Sequence, residues 1–284
     1  MERLSRISVT SRPALLGAVA MLTLTSASVA APAATSSCSS TSCTRWSVRV
    51  TPSAPSRRAA NSGPEPFGAT ADVVANRQTA RVGALFGADR ADSLSGGHFC
   101  TASVVHSPQG DLILTAAHCV SDSDNDLVFV PGYRDGKAPY GVWKLGHSYL
   151  PDGWSKDQDE DSDLAFATVD DVDDRPIEDV VGANQFTVGT ATGATAVTVI
   201  GYPDSREAPI RCTNKPTVHS STQQRIDCPA FTTGTSGSPW INGDGQVVGV
   251  LGGHDEGGST DDVSYSVTLG SQAAELYKDA ISDP

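Results

Sequence analysis

Short apolar segments recur at regular intervals from residue 81 to residue 269, and their spacing constrains the fold more than any other feature of this 284-residue chain. Each segment is short and is bounded by Gly, Pro, Asp or Asn, which is typical of strands joined by turns. The pattern favours an all-β barrel or sandwich over strand–helix–strand units. The predicted strands are Val82–Phe86, Cys100–Val105, Leu112–Ala116, Leu127–Val130, Val142–Leu145, Leu164–Val169, Ala196–Ile200, Val247–Leu251 and Val263–Leu269.

One segment near the end of the chain has helical periodicity instead. Its apolar residues fall at positions i, i+3, i+4, i+7 and i+8, and Ser271 stands where a helix cap is expected. The sequence predicts a C-terminal helix over about residues 271–281, with an apolar face formed by Ala273, Leu276, Tyr277, Ala280 and Ile281.

The N-terminal 80 residues differ in composition from the rest. Three arginines precede an apolar run at residues 14–24 that is too short to span a bilayer. The small residues at 28–30 then provide the kind of site that a signal peptidase cleaves. We therefore predict a signal peptide over residues 1–30 and a secreted protein that does not associate with a membrane once this signal is removed. Residues 31–80 are rich in Ser, Thr, Ala and Pro, which predicts a poorly ordered propeptide removed near Arg81.

Charge is distributed unevenly along the chain. The formal net charge is −13, and residues 81–284 alone carry 12 basic and 30 acidic side chains. Such an acidic surface argues against binding of phosphate backbones, so we expect no nucleic-acid partner.

Six cysteines in an exported protein are expected to be paired, because the compartment is oxidising. Sequential pairing is the interpretation that we prefer, although six cysteines formally allow other connectivities. A zinc site is the alternative, but neither a CxxC nor an HExxH spacing supports it. The expected disulfides are Cys100–Cys119 and Cys212–Cys228, while the fate of Cys38 and Cys43 stays open.

Three local patterns contain residues suited to covalent catalysis. His118 follows a buried strand beside a cysteine, where a general base can be held rigidly, although a single histidine can also be purely structural. Asp163 directly precedes an apolar strand that can turn it inward, with Asp161 as its rival. Ser236 lies in the glycine-containing turn 234–240, where backbone N–H groups can converge beside one hydroxyl.

These patterns occur in the order His, Asp, Ser, which differs from the orders of subtilisin and the α/β-hydrolases. The phrases TAAHC, DLAF and GTSGSP, together with RVGALF and CTASVV, resemble chymotrypsin-fold serine endopeptidases, near the bacterial glutamyl-endopeptidase branch. The resemblance covers about residues 81–284. It implies two six-stranded antiparallel β-barrels, over about 82–180 and 185–269, with the catalytic groups in the cleft between them and the helix at the C-terminus.

The resemblance also implies a role for each matching residue. Ser236 would be the nucleophile, His118 the general base and acid, and Asp163 the group that orients His118. The backbone N–H groups of Gly234 and Ser236 would form the oxyanion hole. The chain departs from the animal trypsin relatives at Thr235, where those enzymes have the aspartate that binds the new N-terminus after activation.

Residues expected in the substrate pocket are less distinctive. Ala230 stands where trypsin-like enzymes have the aspartate that selects Lys or Arg, so the expected P1 residue is acidic or neutral. Thr232 matches a residue of the glutamyl branch, whereas Leu251 replaces its histidine. The other expected pocket residues are Gly252, Gly253 and His254.

These features predict a secreted serine endopeptidase that acts on protein or peptide substrates as a monomer and needs no cofactor or metal ion. The acidic stretch 122–126 resembles the start of a calcium loop but lacks the required Gly and Glu, which favours a plain acidic turn. The alternatives are a catalytically silent binding protein with the same fold, and a secreted esterase that uses the same residues.

Overall fold

The computed structural model describes residues 66–121 and 126–282. Strands dominate the described residues, and three short helices accompany them: α1 Asp152–Asp157, α2 Ile177–Val181 and α3 Ser271–Ser282. The strands are β1 Thr70–Asp72, β2 Val82–Gly87, β3 His98–Val104, β4 Leu112–Thr115, β5 Leu127–Pro131, β6 Trp143–Tyr149, β7 Ala165–Val169, β8 Gln185–Phe186, β9 Val197–Gly201, β10 Ile210–Asn214, β11 Thr217–Val218, β12 Gln223–Asp227, β13 Pro239–Asn242, β14 Gln246–Val250 and β15 Val263–Val267.

The first half of the domain is a closed antiparallel barrel of six strands in the order β2-β3-β4-β7-β6-β5. Closure leaves no free sheet edge, so every strand is paired on both sides. The strands present large side chains to the inside, where Ile113, Phe129 and Trp143 are at most 1% exposed. This barrel confirms the all-β prediction and places the ends of β4 and β7 together.

The second half consists of two sheets around one core. Six strands pair in the order β1-β10-β9-β13-β14-β8, and a three-stranded sheet has the order β11-β12-β15. Both sheets contribute to a buried cluster that contains Val199, Ile226 and Trp240. The two-lobed chymotrypsin-like architecture is therefore as expected, and α3 lies at the predicted C-terminal position.

Both predicted disulfides between described cysteines are confirmed. Cys100 on β3 is bonded to Cys119 just after β4, and Cys212 on β10 is bonded to Cys228 just after β12. Cys38 and Cys43 lie outside the described residues, as do the predicted signal peptide and most of the acidic stretch 122–126. Among the described residues, no helix is long and apolar enough to cross a membrane.

Residues 66–80, which lie within the predicted propeptide, contribute a strand and buried side chains to the domain. β1 pairs antiparallel with β10, with Thr70 opposite Cys212. Val73 and Ala80 are 3% and 4% exposed, and Arg134 donates a hydrogen bond to the Val73 carbonyl over 2.9 Å. Composition gave no sign of this edge strand, because its few apolar residues are covered by distant parts of the chain.

We expect a chain that begins at Val82 to be less stable than one that begins at Pro66. Its free energy of unfolding should fall by about 2 kcal/mol or more, since the burial of Val73 alone is worth that much and the pairing of β1 is lost as well. Urea unfolding of the two chains, each carrying Ser236→Ala to prevent self-digestion, measures the difference. Equal unfolding midpoints would show that β1 adds nothing to the fold.

Candidate active site

His118 lies in a short 3-10 turn, Ala117–Cys119, that follows β4. The disulfide of the next residue to Cys100 ties this turn to β3. The His118 side chain is 14% exposed, so it is held by its surroundings yet remains open to the cleft. This combination suits a proton-transfer group.

Asp163 is fully buried beside His118 and accepts three hydrogen bonds. His118 Nδ1 lies 2.8 Å from Asp163 Oδ2, and the His118 backbone N–H donates to Oδ1 over 3.0 Å. The Gly253 backbone N–H also donates to Oδ2, over 2.8 Å. These donors hold the carboxyl group in place, and its contact with Nδ1 fixes the Nδ1–H tautomer of the imidazole. The remaining nitrogen, Nε2, is then free to accept a proton.

The rival acid, Asp161, has hydrogen-bond partners other than His118. Its Oδ1 accepts hydrogen bonds from Thr222 Oγ1 over 2.9 Å and from Gln223 Nε2 over 2.8 Å. Asp161 thus connects the loop before β7 to β12. The structure therefore pairs His118 with Asp163 and gives Asp161 other partners.

Ser236 follows a tight turn whose shape depends on glycine. The Thr235 N–H donates to the Thr232 carbonyl over 3.1 Å, and Gly234, third in this turn, has a φ of +91°. That combination is the signature of a type II turn, which requires glycine at the third position. The Thr235 side chain is buried and also bonds to the Thr232 carbonyl, over 2.7 Å.

The turn presents two unengaged N–H groups. Among the described residues, neither the Gly234 N–H nor the Ser236 N–H donates to a protein acceptor. The preceding carbonyl, of Thr233, accepts the Asp204 N–H over 2.8 Å, which fixes the peptide plane that carries the Gly234 N–H. Backbone donors without a protein acceptor, next to a hydroxyl, can bind a negatively charged oxygen.

Thr101, a buried residue of β3, also bonds to the turn that precedes Ser236. Its hydroxyl donates to the Gly234 carbonyl over 3.0 Å and accepts the Tyr202 N–H over 2.9 Å. Its backbone N–H donates to the Ser236 carbonyl over 2.7 Å. Burial raises the pKa of the Tyr202 hydroxyl, which stays protonated and donates to the Val82 carbonyl. Neither Thr101 nor Asp204 was expected at the site, because local sequence gives no signal for such long-range contacts.

The Ser236 hydroxyl has the Glu256 carbonyl as its hydrogen-bond acceptor, over 3.5 Å. The hydrogen bonds of these residues include none between Ser236 Oγ and His118 Nε2. In enzymes without bound substrate this bond is often long and shortens only in the reacting complex. In this structure the Ser236 hydroxyl is thus bonded to the Glu256 carbonyl rather than to His118.

A cavity of about 280 Å³ opens beside Ser236. Of the expected pocket residues, Thr232 lines it, whereas Ala230, Gly252, Gly253 and His254 do not. Gly252 and Gly253 instead allow the chain to pass close to Asp163 and Gln223. The Thr232 hydroxyl oxygen is buried without a hydrogen-bond partner. Leu251, at the position of the glutamyl-branch histidine, also lines it. Sequence reasoning missed the rest of the lining, which is Phe231, Thr233, Thr235, Asp255, Glu256, Gly257, Gly258, Ser259, Thr260 and Asp261.

The fold and this arrangement define a serine endopeptidase of the chymotrypsin type. Residues 100–250, more than half of the chain, match the model of the trypsin-like peptidase domain, and the chain belongs to this family. No curated protein sequence matches the chain closely enough to serve as a relative.

Solved structures of several proteases share the fold. The protease Anisep from Arthrobacter nicotinovorans is 25% identical, with a TM-score of 0.64 over 76% of this chain and 100% of Anisep. The thermostable serine protease AL20, from an extremophilic microorganism, is 25% identical, with a TM-score of 0.63 over 74% of this chain and 100% of its own. A Glu endopeptidase is 21% identical, with a TM-score of 0.61 over 77% of this chain and 98% of its own, and this likeness concerns the fold alone.

Proposed function

We propose that this endopeptidase cleaves peptide bonds through a covalent intermediate on Ser236, with His118 as general base and acid and Asp163 as the residue that orients it. The observation that carries the proposal is the 2.8 Å contact between His118 Nδ1 and Asp163 Oδ2, made by a carboxylate with no solvent exposure. Such a buried carboxylate on Nδ1 leaves Nε2 as the proton acceptor on the side of the cleft.

The reaction begins when the Ser236 hydroxyl leaves the Glu256 carbonyl and turns toward His118. Ser236 Oγ attacks the substrate carbonyl carbon while Nε2 accepts the hydroxyl proton. The negative oxygen of the tetrahedral intermediate is stabilised by the Gly234 and Ser236 N–H groups. His118 then protonates the leaving amine, and a water molecule releases the acyl group by the same steps.

Formation of the oxyanion hole does not depend on a new N-terminus in this proposal. Thr235 cannot form an ion pair with an amine, and the orientation of the Gly234 peptide is held by Asp204 and Thr101 instead. Val82, the expected first residue after cleavage near Arg81, is fully buried in β2 and does not line the cavity. Its amine is therefore badly placed to attract an acidic P1 side chain, and removal of a propeptide would serve another purpose.

The cavity favours a neutral P1 residue. Its wall includes the apolar side chains of Phe231 and Leu251. Among the residues that the structure describes, none with a basic side chain lines the cavity to receive an acidic P1 residue. The acidic rim residues Glu256 and Asp261 are exposed to solvent, so they attract a Lys or Arg side chain only weakly.

Digestion of a peptide library derived from a proteome tests both activity and preference. We expect most cleavages after neutral residues, with few after Asp and Glu because no basic side chain among the cavity's described residues would pair with them. Cleavage mainly after Glu, or mainly after Lys and Arg, would contradict the proposed pocket chemistry, and turnover of esters without peptides would favour an esterase.

We also propose that the enzyme acts outside the cell. The two disulfides of the described domain fit an oxidising compartment, in keeping with the expected signal peptide. One disulfide in each half of the domain is therefore the structural observation that supports this proposal.

A further inference from the structure

Gln223 is a buried polar side chain between the two chain segments that meet at Asp163. It lies on β12 and is 4% exposed. Its Oε1 accepts the His254 N–H over 2.8 Å, and its Nε2 donates to Asp161 Oδ1, also over 2.8 Å. Both ends of the amide are therefore engaged, one by the turn after Gly253 and the other by the loop before Asp163.

The two partners of Gln223 require an amide. A backbone N–H can only donate and a carboxylate can only accept, so the side chain between them must present one acceptor and one donor. An ionised glutamate has no donor to offer Asp161, and a methionine of similar length has neither group. The partners therefore specify an amide and fix which way it points.

Both of the engaged segments also hold Asp163. The Gly253 N–H donates to Asp163 Oδ2 over 2.8 Å. The next peptide N–H along the chain, of His254, is the one that bonds to Gln223. On the other side, Asp161 stands two residues before Asp163 in the loop that leads to β7. The contacts therefore form a closed ring that includes the carboxylate beside His118.

The conformation of Gly253 depends on this ring. Gly253 has a φ of +81°, and a Cβ there would lie 2.7 Å from Gln223 Oε1 and 3.3 Å from the Glu160 carbonyl oxygen. Glycine fits this position but has wide backbone freedom, so hydrogen bonds on either side have to impose its conformation. One of them is the N–H bond to Asp163, and the other is the bond between Gln223 and the His254 N–H.

We propose that Gln223 is a positioning residue for peptide hydrolysis. It keeps the Gly253 N–H on the Asp163 carboxylate, which in turn orients His118. Gln223 does not line the cavity beside Ser236, so it acts on the proton-transfer groups and not on substrate binding. The inference rests on the proposed function, in which His118 is the general base.

Gln223→Met is the direct test, because methionine keeps the length of the side chain and removes both hydrogen bonds. Steady-state hydrolysis of one peptide should show kcat reduced by about tenfold or more with KM nearly unchanged, since a misplacement of about 1 Å can cost about 100-fold. Gln224→Met is the matched control. Gln224 is the next residue of β12, is 5% exposed and bonds to Thr192 and to the Val248 carbonyl. Its kcat should stay close to that of the unmodified enzyme.

Exchange of donor and acceptor between two side chains provides a rescue. Gln223→Glu alone places two carboxylates side by side and should lose at least as much activity as Gln223→Met. When Gln223→Glu is combined with Asp161→Asn, the new carboxylate accepts both the His254 N–H and an amide N–H from position 161. The double variant should therefore recover most of the lost kcat.

A readout that needs no catalysis separates this inference from the proposed function. Proton NMR of the full chain carrying Ser236→Ala follows the His118 Nδ1 proton, which its hydrogen bond to Asp163 deshields. Adding Gln223→Met should shift this resonance upfield or lose it to exchange with water, whereas adding Gln224→Met should leave it in place.

Equal effects of the two methionine variants on kcat and on the resonance would overturn the positioning role, as would a double variant no better than Gln223→Glu alone. Absence of peptide hydrolysis by the unmodified chain would count against the proposed function, while the resonance of the Ser236→Ala chain would still decide whether Gln223 positions Asp163.

Discussion

Replacement of Ser236 by alanine should lower kcat/KM for peptide hydrolysis by about 10⁴-fold or more, and His118→Ala and Asp163→Asn should each have an effect of similar size. The three residues act as one unit, so the double variants should be no worse than the single ones. The asparagine at 163 would no longer stabilise the protonated imidazole that forms during attack. Steady-state kinetics on one peptide substrate, with circular dichroism to verify folding, measures these losses.

Asp161→Asn provides the matched control. Asp161 precedes Asp163 by two residues but bonds to Thr222 and Gln223 rather than to His118. We expect this variant to keep its rate within about tenfold of the unmodified enzyme. Loss of activity in Asp161→Asn but not in Asp163→Asn would show that the assignment of the orienting acid is wrong.

Gly234→Ala should reduce kcat by about 10²- to 10³-fold with little change in KM, the loss expected when one oxyanion donor is displaced. A Cβ at this position would lie 2.6 Å from both the Asp204 nitrogen and the Tyr202 carbonyl oxygen. The backbone there has a φ of +91°, which strains any residue other than glycine. The peptide must therefore shift, and its N–H moves away from the developing negative charge.

Gly243→Ala is the control for this substitution. Gly243 lies in the turn between β13 and β14, and a Cβ there would have no atom within 4 Å. This variant should keep both kcat and stability close to the unmodified values. A Gly234→Ala enzyme with full activity would mean that the Gly234 N–H does not stabilise the transition state.

Much of the first barrel could be predicted from the sequence because its strands are apolar and lie between turn residues. The predicted segment Leu112–Ala116, for example, corresponds to β4 at Leu112–Thr115. The strands that were missed are polar, such as β12 at Gln223–Asp227, or very short, such as β1. Their pairing depends on partners far along the chain, which local periodicity does not reveal.

The three catalytic candidates could be predicted from sequence motifs, but the residues that hold the turn before Ser236 in place could not. His118, Asp163 and Ser236 each stand in a distinctive local phrase, and their order along the chain joined these phrases into one hypothesis. The contacts that hold the oxyanion turn come from Thr101 and Asp204, which have no motif of their own. The cavity wall could not be predicted from the sequence either, because its lining depends on the path of the glycine-rich turn after Gly253.

The most direct test of the account is to label the purified protein with a fluorophosphonate and locate the adduct by mass spectrometry. We predict one adduct per chain, on Ser236, because an activated serine beside an oxyanion hole reacts where ordinary serines do not. Labelling should be absent in Ser236→Ala and strongly slowed in His118→Ala. A protein that stays unlabelled, or an adduct that persists in Ser236→Ala, would contradict the assignment of Ser236 as the nucleophile.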